Sequence, residues 1–271
     1  MRKLESSIKT IAIAAAFATS CSLSTPTFAL AIFGVNEGSV PGTQANTFNA
    51  DKINGSYNEV FTATGANTFS ARTIFSLGSY TLGSGGAVTS YLNGPEPAGY
   101  TAYAVATSSG IFSVSGPTGN ILNITATSSS LELYIDPNSD TTVILPGTGT
   151  GGITRTSFAD DLRLMSGFNG TGEGSGDSTR LDPGNFAILF NGTALDPSGE
   201  LYFTSPRPFY VGFQTNGNFN PFNPAPGATT LQQGVANLFF SDNTVPEPAS
   251  LALLGIGLFG MAAIRRWHPN A

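Results

Sequence analysis

The sequence predicts an all-β protein whose body is a single β-sandwich or jelly-roll-like domain. Only 10% of the 271 residues are charged, 33 are glycine, and helix-forming Glu, Lys, Gln and Met are scarce. Runs in which apolar and polar residues alternate are typical of strands that turn one face to a core. About eleven such runs, separated by turn-forming residues, indicate two packed sheets.

The amino-terminal residues predict an export signal. Three basic residues lie among the first nine, an apolar run follows at 11–18, and small residues come next. This is the order of a secretory signal peptide, and the rule for small residues at the cleaved bond fits cleavage after Ala29 or after Ala31. The predicted signal therefore occupies residues 1–31. The alternative is a retained membrane anchor, for which the apolar run is short.

The predicted mature body, residues 32–244, has neither histidine nor cysteine. Cys21 lies inside the predicted signal and His268 lies near the carboxyl end. Ser-His-Asp hydrolysis, cysteine-protease chemistry and histidine-ligated zinc are therefore excluded from the body. Glycoside hydrolysis needs only two carboxylates, but no spacing singles out such a pair, so the sequence predicts a protein that is not an enzyme.

The predicted body is strongly acidic. Between residues 32 and 244, six basic residues stand against fifteen acidic ones, which leaves a net charge of −9. Nucleic acid is therefore not an expected partner, because phosphate binding needs clustered Lys and Arg. The six basic residues are Lys52, Arg72, Arg155, Arg163, Arg180 and Arg207.

A short acidic segment matches the beginning of a calcium-binding loop. Asp136, Asn138 and Asp140 supply side-chain oxygens at positions 1, 3 and 5, as in an EF-hand loop. The match ends there, because positions 6 and 12 hold Thr141 and Gly147 instead of Gly and Glu. Two interpretations stay open: a calcium site, which would be the one bound cofactor, or an Asp-Pro turn that joins two strands.

Local patterns predict further features of the body. Serines at 128–130 separate two alternating runs and predict a hairpin. The glycine-rich segment 170–176 is expected to be a connector between strands. The one helical candidate begins at Ser157 and is short enough to form a strand instead. Four aromatic residues at 202–210 predict core packing or, alternatively, an exposed platform that stacks on sugar rings.

The carboxyl end carries three parts in order. They are a proline-bracketed carboxylate (Val245, Pro246, Glu247, Pro248), an uncharged apolar run at 249–264, and a basic pair (Arg265, Arg266). As a helix, the run would measure roughly 24 Å, short of the hydrocarbon core of about 30 Å. The two arginines predict that this end stays cytoplasmic, while the body lies on the opposite side of the inner membrane.

This arrangement resembles the bacterial PEP-CTERM sorting signal. The resemblance implies that exosortase, a membrane processing enzyme, acts at the Pro-Glu-Pro site and that the body becomes extracellular or bound to the cell surface. Pro246, Glu247 and Pro248 would form the recognition motif, and Arg265 and Arg266 the basic stop. The segment 245–271 would contact the membrane as a short transmembrane sorting helix before it is processed.

Blocks of the body resemble the flocculation-associated PEP-CTERM proteins. They lie at 99–110, 133–141, 184–191 and 202–210. Members of that family are implicated in holding cells together within exopolysaccharide. The resemblance implies a non-catalytic matrix or surface protein that supports floc or biofilm formation, with exopolysaccharide as its partner. A secreted carbohydrate-active enzyme that uses carboxylates and a self-assembling surface-coat subunit are the alternatives.

Overall fold

The computed structural model describes residues 31–241, apart from 84–85, 96, 117–118, 178, 180–183, 208–209 and 218–221. The predicted signal peptide up to residue 30 and the predicted sorting segment 245–271, with its transmembrane helix, lie outside the described residues. Within the described part, no helix is both long enough and apolar enough to cross a membrane.

Strands dominate the described residues. They are β1 (Phe33–Asn36), β2 (Thr47–Ala50), β3 (Lys52–Ala63), β4 (Thr68–Leu82), β5 (Gly86–Ala87), β6 (Thr101–Ser115), β7 (Ile121–Asp136), β8 (Thr142–Ile144), β9 (Thr154–Thr156), β10 (Leu162–Asp177), β11 (Gly184–Leu195), β12 (Phe203–Ser205), β13 (Tyr210–Gly217) and β14 (Thr229–Ser241). A 3-10 turn at Glu37–Ser39 and the short helix α1 (Pro197–Tyr202) complete the set. The all-β prediction is confirmed.

Eight of these strands close into one antiparallel barrel. Neighbours follow the chain in the order β3, β4, β6, β7, β10, β11, β13 and β14, and β14 pairs back with β3. Thr62 and Thr229, 167 residues apart, are hydrogen-bonded at 2.9 Å across the closing pair. The predicted β-sandwich or jelly roll is therefore wrong. Alternation along a strand is the same in a sandwich and a barrel, and the closing pair is too distant in sequence to be read from it.

Aromatic rings fill much of the barrel interior. Phe61 and Phe69 stack with ring centroids 4.7 Å apart, and Phe75 and Phe213 lie 4.8 Å apart. Phe222, from the segment before β14, meets Phe61 at 5.4 Å. An eight-stranded barrel is just wide enough for its own side chains to fill, so this interior is a packed core.

The predicted hairpin at residues 128–130 does not form. The serines lie within β7, which continues through them from Ile121 to Asp136. The register between β6 and β7 shifts next to these serines: Ser109 faces Ser128, whereas the next residue, Gly110, faces Ala126. One extra residue, Thr127, is thus accommodated as a β-bulge, which bends a strand without reversing it.

The helical candidate is a turn, and a helix forms elsewhere. Ser157 has a φ of +58°, outside the helical region, and its segment leads into β10. Pro197 instead begins α1, at a helix position that suits proline.

Tyr202 and Phe203 have 1% and 0% of their surface exposed. These two members of the 202–210 cluster belong to the core, and a sugar platform there would lack both.

The glycine-rich segment 170–176 is a strand within the barrel and not a connector. It forms the middle of β10, pairing with β7 on one side and β11 on the other. Its alternate glycines face inward, where bulky side chains of β11 occupy the space above them. A Cβ atom would lie 2.7 Å from Phe190 at Gly170, 2.7 Å from Ile188 at Gly172 and 2.6 Å from Phe186 at Gly174.

A small sheet of β12, β1 and β2 packs against the barrel. Phe33 of β1 lies 4.4 Å from Phe240 and 6.3 Å from Tyr80, ring centre to ring centre. The hydroxyls of Tyr80 and Tyr100 each lie 2.5 Å from that of Tyr202. Burial raises the pKa of all three tyrosines, so they stay neutral.

Glu37 is the centre of this packed region and has no exposed surface. Its carboxylate accepts hydrogen bonds from Ser90 Oγ at 2.6 Å, Asn46 Nδ2 at 2.6 Å, Tyr100 Oη at 2.7 Å and Tyr91 N at 3.0 Å. A buried carboxylate is tolerated when donors surround it in this way. Glu37 therefore ties the 3-10 turn, the segment around residue 90 and the barrel together.

A second carboxylate, that of Glu59 in β3, lies in the barrel interior. Glu59, Gln232 and Phe186 line a small cavity there. Thr73 Oγ1 donates to its Oε2 at 2.6 Å. Loss of solvent raises the pKa of Glu59 to about 7, and the Thr73 hydrogen bond opposes this only in part. Near neutral pH, Glu59 therefore takes up a proton more readily in the folded chain than in the unfolded chain.

Glu59→Gln is expected to remove a pH dependence of stability. The folded chain binds the Glu59 proton more tightly than the unfolded chain does, and this tighter binding stabilises the fold. The stabilisation is complete below the ordinary pKa of 4.5 and is lost as pH rises through about 7. At pH 8, the free energy of unfolding of Glu59→Gln should exceed that of the wild type by about 2 kcal/mol, after allowance for partial exposure. Urea unfolding at pH 5 and pH 8 measures this, with the exposed Glu173→Gln as control. Equal differences at both pH values would contradict it.

Candidate functional site

A groove of about 650 Å³ lies against β6, β7 and β10, beside the segment that joins β8 to β9. We call it the arginine groove, because Arg72, Arg155 and Arg163 all line it. Among its other lining residues are the hydroxyl-bearing Thr107, Ser130 and Ser166, and Phe168, which is 45% exposed.

The segment beside the groove is fixed to the outside of the barrel. Arg72 Nε donates to the Gly151 carbonyl at 2.8 Å, and Ser70 Oγ donates to the Gly149 carbonyl at 2.8 Å. The Gly149 N–H donates to Thr62 Oγ1 at 2.8 Å. A Cβ atom at Gly149 would meet the backbone of β3 and β4, so only glycine allows this close approach. One wall of the groove is thereby held in place.

Arg155 is held between aromatic rings. Its guanidinium lies 4.2 Å from the centre of the Tyr134 ring and 4.9 Å from that of Phe158. It donates to Tyr103 Oη at 3.1 Å and lies 3.9 Å from the Asp161 carboxylate. Tyr103 in turn donates to Asp161. Cation–π contacts of this kind fix an arginine before any ligand arrives.

Arg163 is the most exposed of the three arginines, with 44% of its side chain accessible. Its Nη1 lies 3.0 Å from Glu132 Oε1, and its Nε lies 2.5 Å from Asp196 Oδ2. The hydrogen bond and charge of Asp196, followed by those of Glu132, raise the pKa of Arg163. It therefore stays cationic while water or a ligand can reach it.

The arginine groove gathers guanidinium groups on an acidic body, and carboxylates pair with two of them. It holds three of the six basic residues between residues 32 and 244. Guanidinium groups bind carboxylates through paired hydrogen bonds, hydroxyls both donate and accept, and an exposed ring packs against the apolar face of a sugar. Chemically, the groove suits a ligand with many hydroxyls and some carboxylates.

A separate cluster of carboxylates lies where β7 ends. One oxygen from each of Asp136, Asp140 and Asp160 lies within 4.8 Å of the other two. Asp136 Oδ2 accepts a hydrogen bond from the Thr141 N–H at 2.8 Å. Lost solvation and the charges of Asp160 and Asp136 raise the pKa of Asp140. We call these three residues the aspartate cluster.

The structure brings together two of the three predicted calcium ligands. Asp136 and Asp140 meet, whereas Asn138 Nδ2 donates to Asp160 Oδ2 at 2.7 Å. Asn138 therefore positions Asp160, which takes the third place in the cluster. Sequence reasoning missed Asp160 because it lies 20 residues beyond Asp140. The one signal was the Asp160-Asp161 pair just before a strand.

Comparison with known proteins identifies the carboxyl end. The model of the PEP-CTERM protein-sorting motif matches residues 244–266, which confirms the predicted sorting signal. The separate roles of Val245, Pro246, Glu247, Pro248, Arg265 and Arg266 stay predictions. No curated protein and no solved structure matches the chain. The chain thus carries at residues 244–266 the PEP-CTERM signal, which marks proteins that are exported, processed by the membrane enzyme exosortase and sorted to the cell surface.

Proposed function

We propose that this is a non-catalytic surface or matrix protein that binds acidic exopolysaccharide in the arginine groove and so supports floc or biofilm formation. The observation that carries the proposal is the convergence of Arg72, Arg155 and Arg163 on one groove of a body whose net charge is −9. The sorting signal supports it, because a protein exported to the cell surface meets secreted polysaccharide there.

Binding without hydrolysis is favoured by the carboxylates of the groove. Among the described lining residues, Glu132 is the one acid, and it is paired with Arg163 and also accepts from Tyr134 Oη at 3.0 Å. Glycosidases of the common type place two carboxyl groups across the scissile bond. A secreted carbohydrate-active enzyme and a self-assembling coat subunit are the competing functions.

The test measures binding of the full chain to polygalacturonate, which carries carboxylates, and to uncharged dextran. We expect binding to polygalacturonate only. Arg163→Ala should weaken it about tenfold, since a charge-assisted hydrogen bond to a carboxylate contributes about 1.5 kcal/mol or more. The control is Arg207→Ala, which removes an exposed arginine that does not line the groove and should change the affinity less than twofold.

Four results would overturn the proposal. Equal affinity for dextran would show that the arginines do not select a polysaccharide that carries carboxylates. Unchanged affinity in Arg163→Ala would show that the polysaccharide binds outside the arginine groove. A fall in polysaccharide chain length during incubation would favour the enzyme. Ordered assembly of the protein without any polysaccharide, together with no binding, would favour the coat subunit.

A further inference from the structure

We propose that the aspartate cluster, Asp136, Asp140 and Asp160, is a calcium-binding site. It involves none of the lining residues of the arginine groove, so it does not depend on the proposed function. The three residues come from the end of β7, from the turn that follows it and from the segment before β10. A bound cation would therefore join Asp160 to residues that lie 20 and 24 positions before it in the chain.

The spacing of the oxygens fits a calcium ion. Calcium binds oxygens at about 2.3–2.6 Å, so two ligands of one ion lie no more than about 5 Å apart. The three carboxylate oxygens all lie within 4.8 Å of one another. No large movement of the backbone is needed to bring them onto one ion.

The strongest single observation is an oxygen of Asp136 that has no partner. Asp136 has 1% of its surface exposed, and its Oδ2 accepts from the Thr141 N–H at 2.8 Å and from Thr101 Oγ1 at 3.3 Å. Its Oδ1 is buried and has no hydrogen-bond partner among the described residues. Buried polar atoms are nearly always paired, and a buried carboxylate is costly without compensation. A cation bound by the Asp136 carboxylate would satisfy this oxygen.

Nearby positive charge is already engaged by a different carboxylate. Arg155 lies 3.9 Å from Asp161, which also accepts from Tyr103 and from Thr141 Oγ1 at 2.8 Å. Within the described part of the chain, none of the three cluster residues forms an ion pair. The negative charges of the cluster therefore remain to be balanced by an ion from solution.

The ligand chemistry selects calcium among common cations. The body has no histidine or cysteine, which zinc prefers. Magnesium requires a near-ideal octahedron and holds its water tightly, whereas calcium accepts six to eight oxygens in flexible geometry. Asp140 is exposed and Asp160 partly exposed, so water can complete an irregular coordination shell.

The test uses the full chain, stripped with a chelator and titrated with calcium chloride in the absence of polysaccharide. We expect a dissociation constant of about 10⁻⁴ M, as in extracellular calcium modules, and a rise in Tm of about 5 °C at 10 mM calcium. Magnesium chloride at equal concentration should raise Tm less. Asp140→Ala, at an exposed position, should weaken calcium binding at least tenfold and leave the Tm without calcium unchanged or higher.

Two further variants separate the site from a general charge effect. Asp160→Asn should also lose the calcium-dependent rise in Tm, whereas Glu200→Gln, an exposed carboxylate elsewhere, should retain it. Absence of both heat and Tm shift in the wild type up to 10 mM calcium would overturn the proposal. So would wild-type calcium affinity in both aspartate variants. Because no polysaccharide is present, either failure leaves the arginine groove untouched.

Discussion

Glu37→Ala is expected to lower the free energy of unfolding by about 4 kcal/mol, since several donors lose one acceptor and each buried donor left unsatisfied costs about 1–3 kcal/mol. Its carboxylate accepts from Ser90, Asn46, Tyr100 and the Tyr91 backbone. Alanine would leave these donors without the buried acceptor that they share, and Tyr100 among them is itself buried. Because Tyr100 is hydrogen-bonded to Tyr202, the loss would extend to α1.

Urea unfolding followed by fluorescence measures this effect. Glu37→Gln should cost less, about 2 kcal/mol, because its carbonyl oxygen still accepts while its amide group faces other donors. The control is Glu200→Ala, which removes a carboxylate that is 59% exposed and 3.8 Å from Arg207. An exposed pair of that kind contributes less than about 1 kcal/mol. Similar losses in Glu37→Ala and Glu200→Ala would show that the buried network contributes little.

Features encoded in a short linear stretch could be predicted from the sequence. The sorting signal at 244–266 is of this kind, because its three parts follow one another in a fixed order. Asp136 and Asp140 could be paired for the same reason, since one tight turn brings them together. Asp160 could not, because its approach depends on where β10 begins relative to β7.

Features that depend on distant pairing could not be predicted. Closure of the barrel rests on β14 returning to β3, and no local pattern of either strand names its partner. The arginine groove also depends on packing between distant parts of the chain. Arg72 and Arg163 come from β4 and β10 of the barrel, whereas Arg155 comes from β9, which pairs with β8 in a separate small sheet. The serines at 128–130 failed as a turn signal because they pair regularly with β6, and β7 continues past them with a bulge at Thr127.

The glycines of β10 did carry a signal, although composition concealed it. Glycine recurs at every second position, Gly170 to Gly176, and Thr171, Glu173 and Ser175 lie between. A period of two is the period of a strand. A flexible connector does not require glycine at every second position. A strand whose inner face is crowded by large neighbouring side chains does require it.

Gly172→Ala is therefore expected to destabilise the fold by about 3 kcal/mol, at the upper end of what overpacking of a core usually costs. The new Cβ would lie 2.7 Å from Ile188 Cγ1 and would also press on the Ala187 carbonyl. A side chain can rotate away, but the Ala187 backbone is held in the pairing of β10 with β11. Thr171→Ala, on the outer face one residue earlier, is the matched control and should cost less than about 1 kcal/mol. Thermal and urea unfolding of both variants would measure the difference, and equal stability of the two would show that these glycines do not make room for the core.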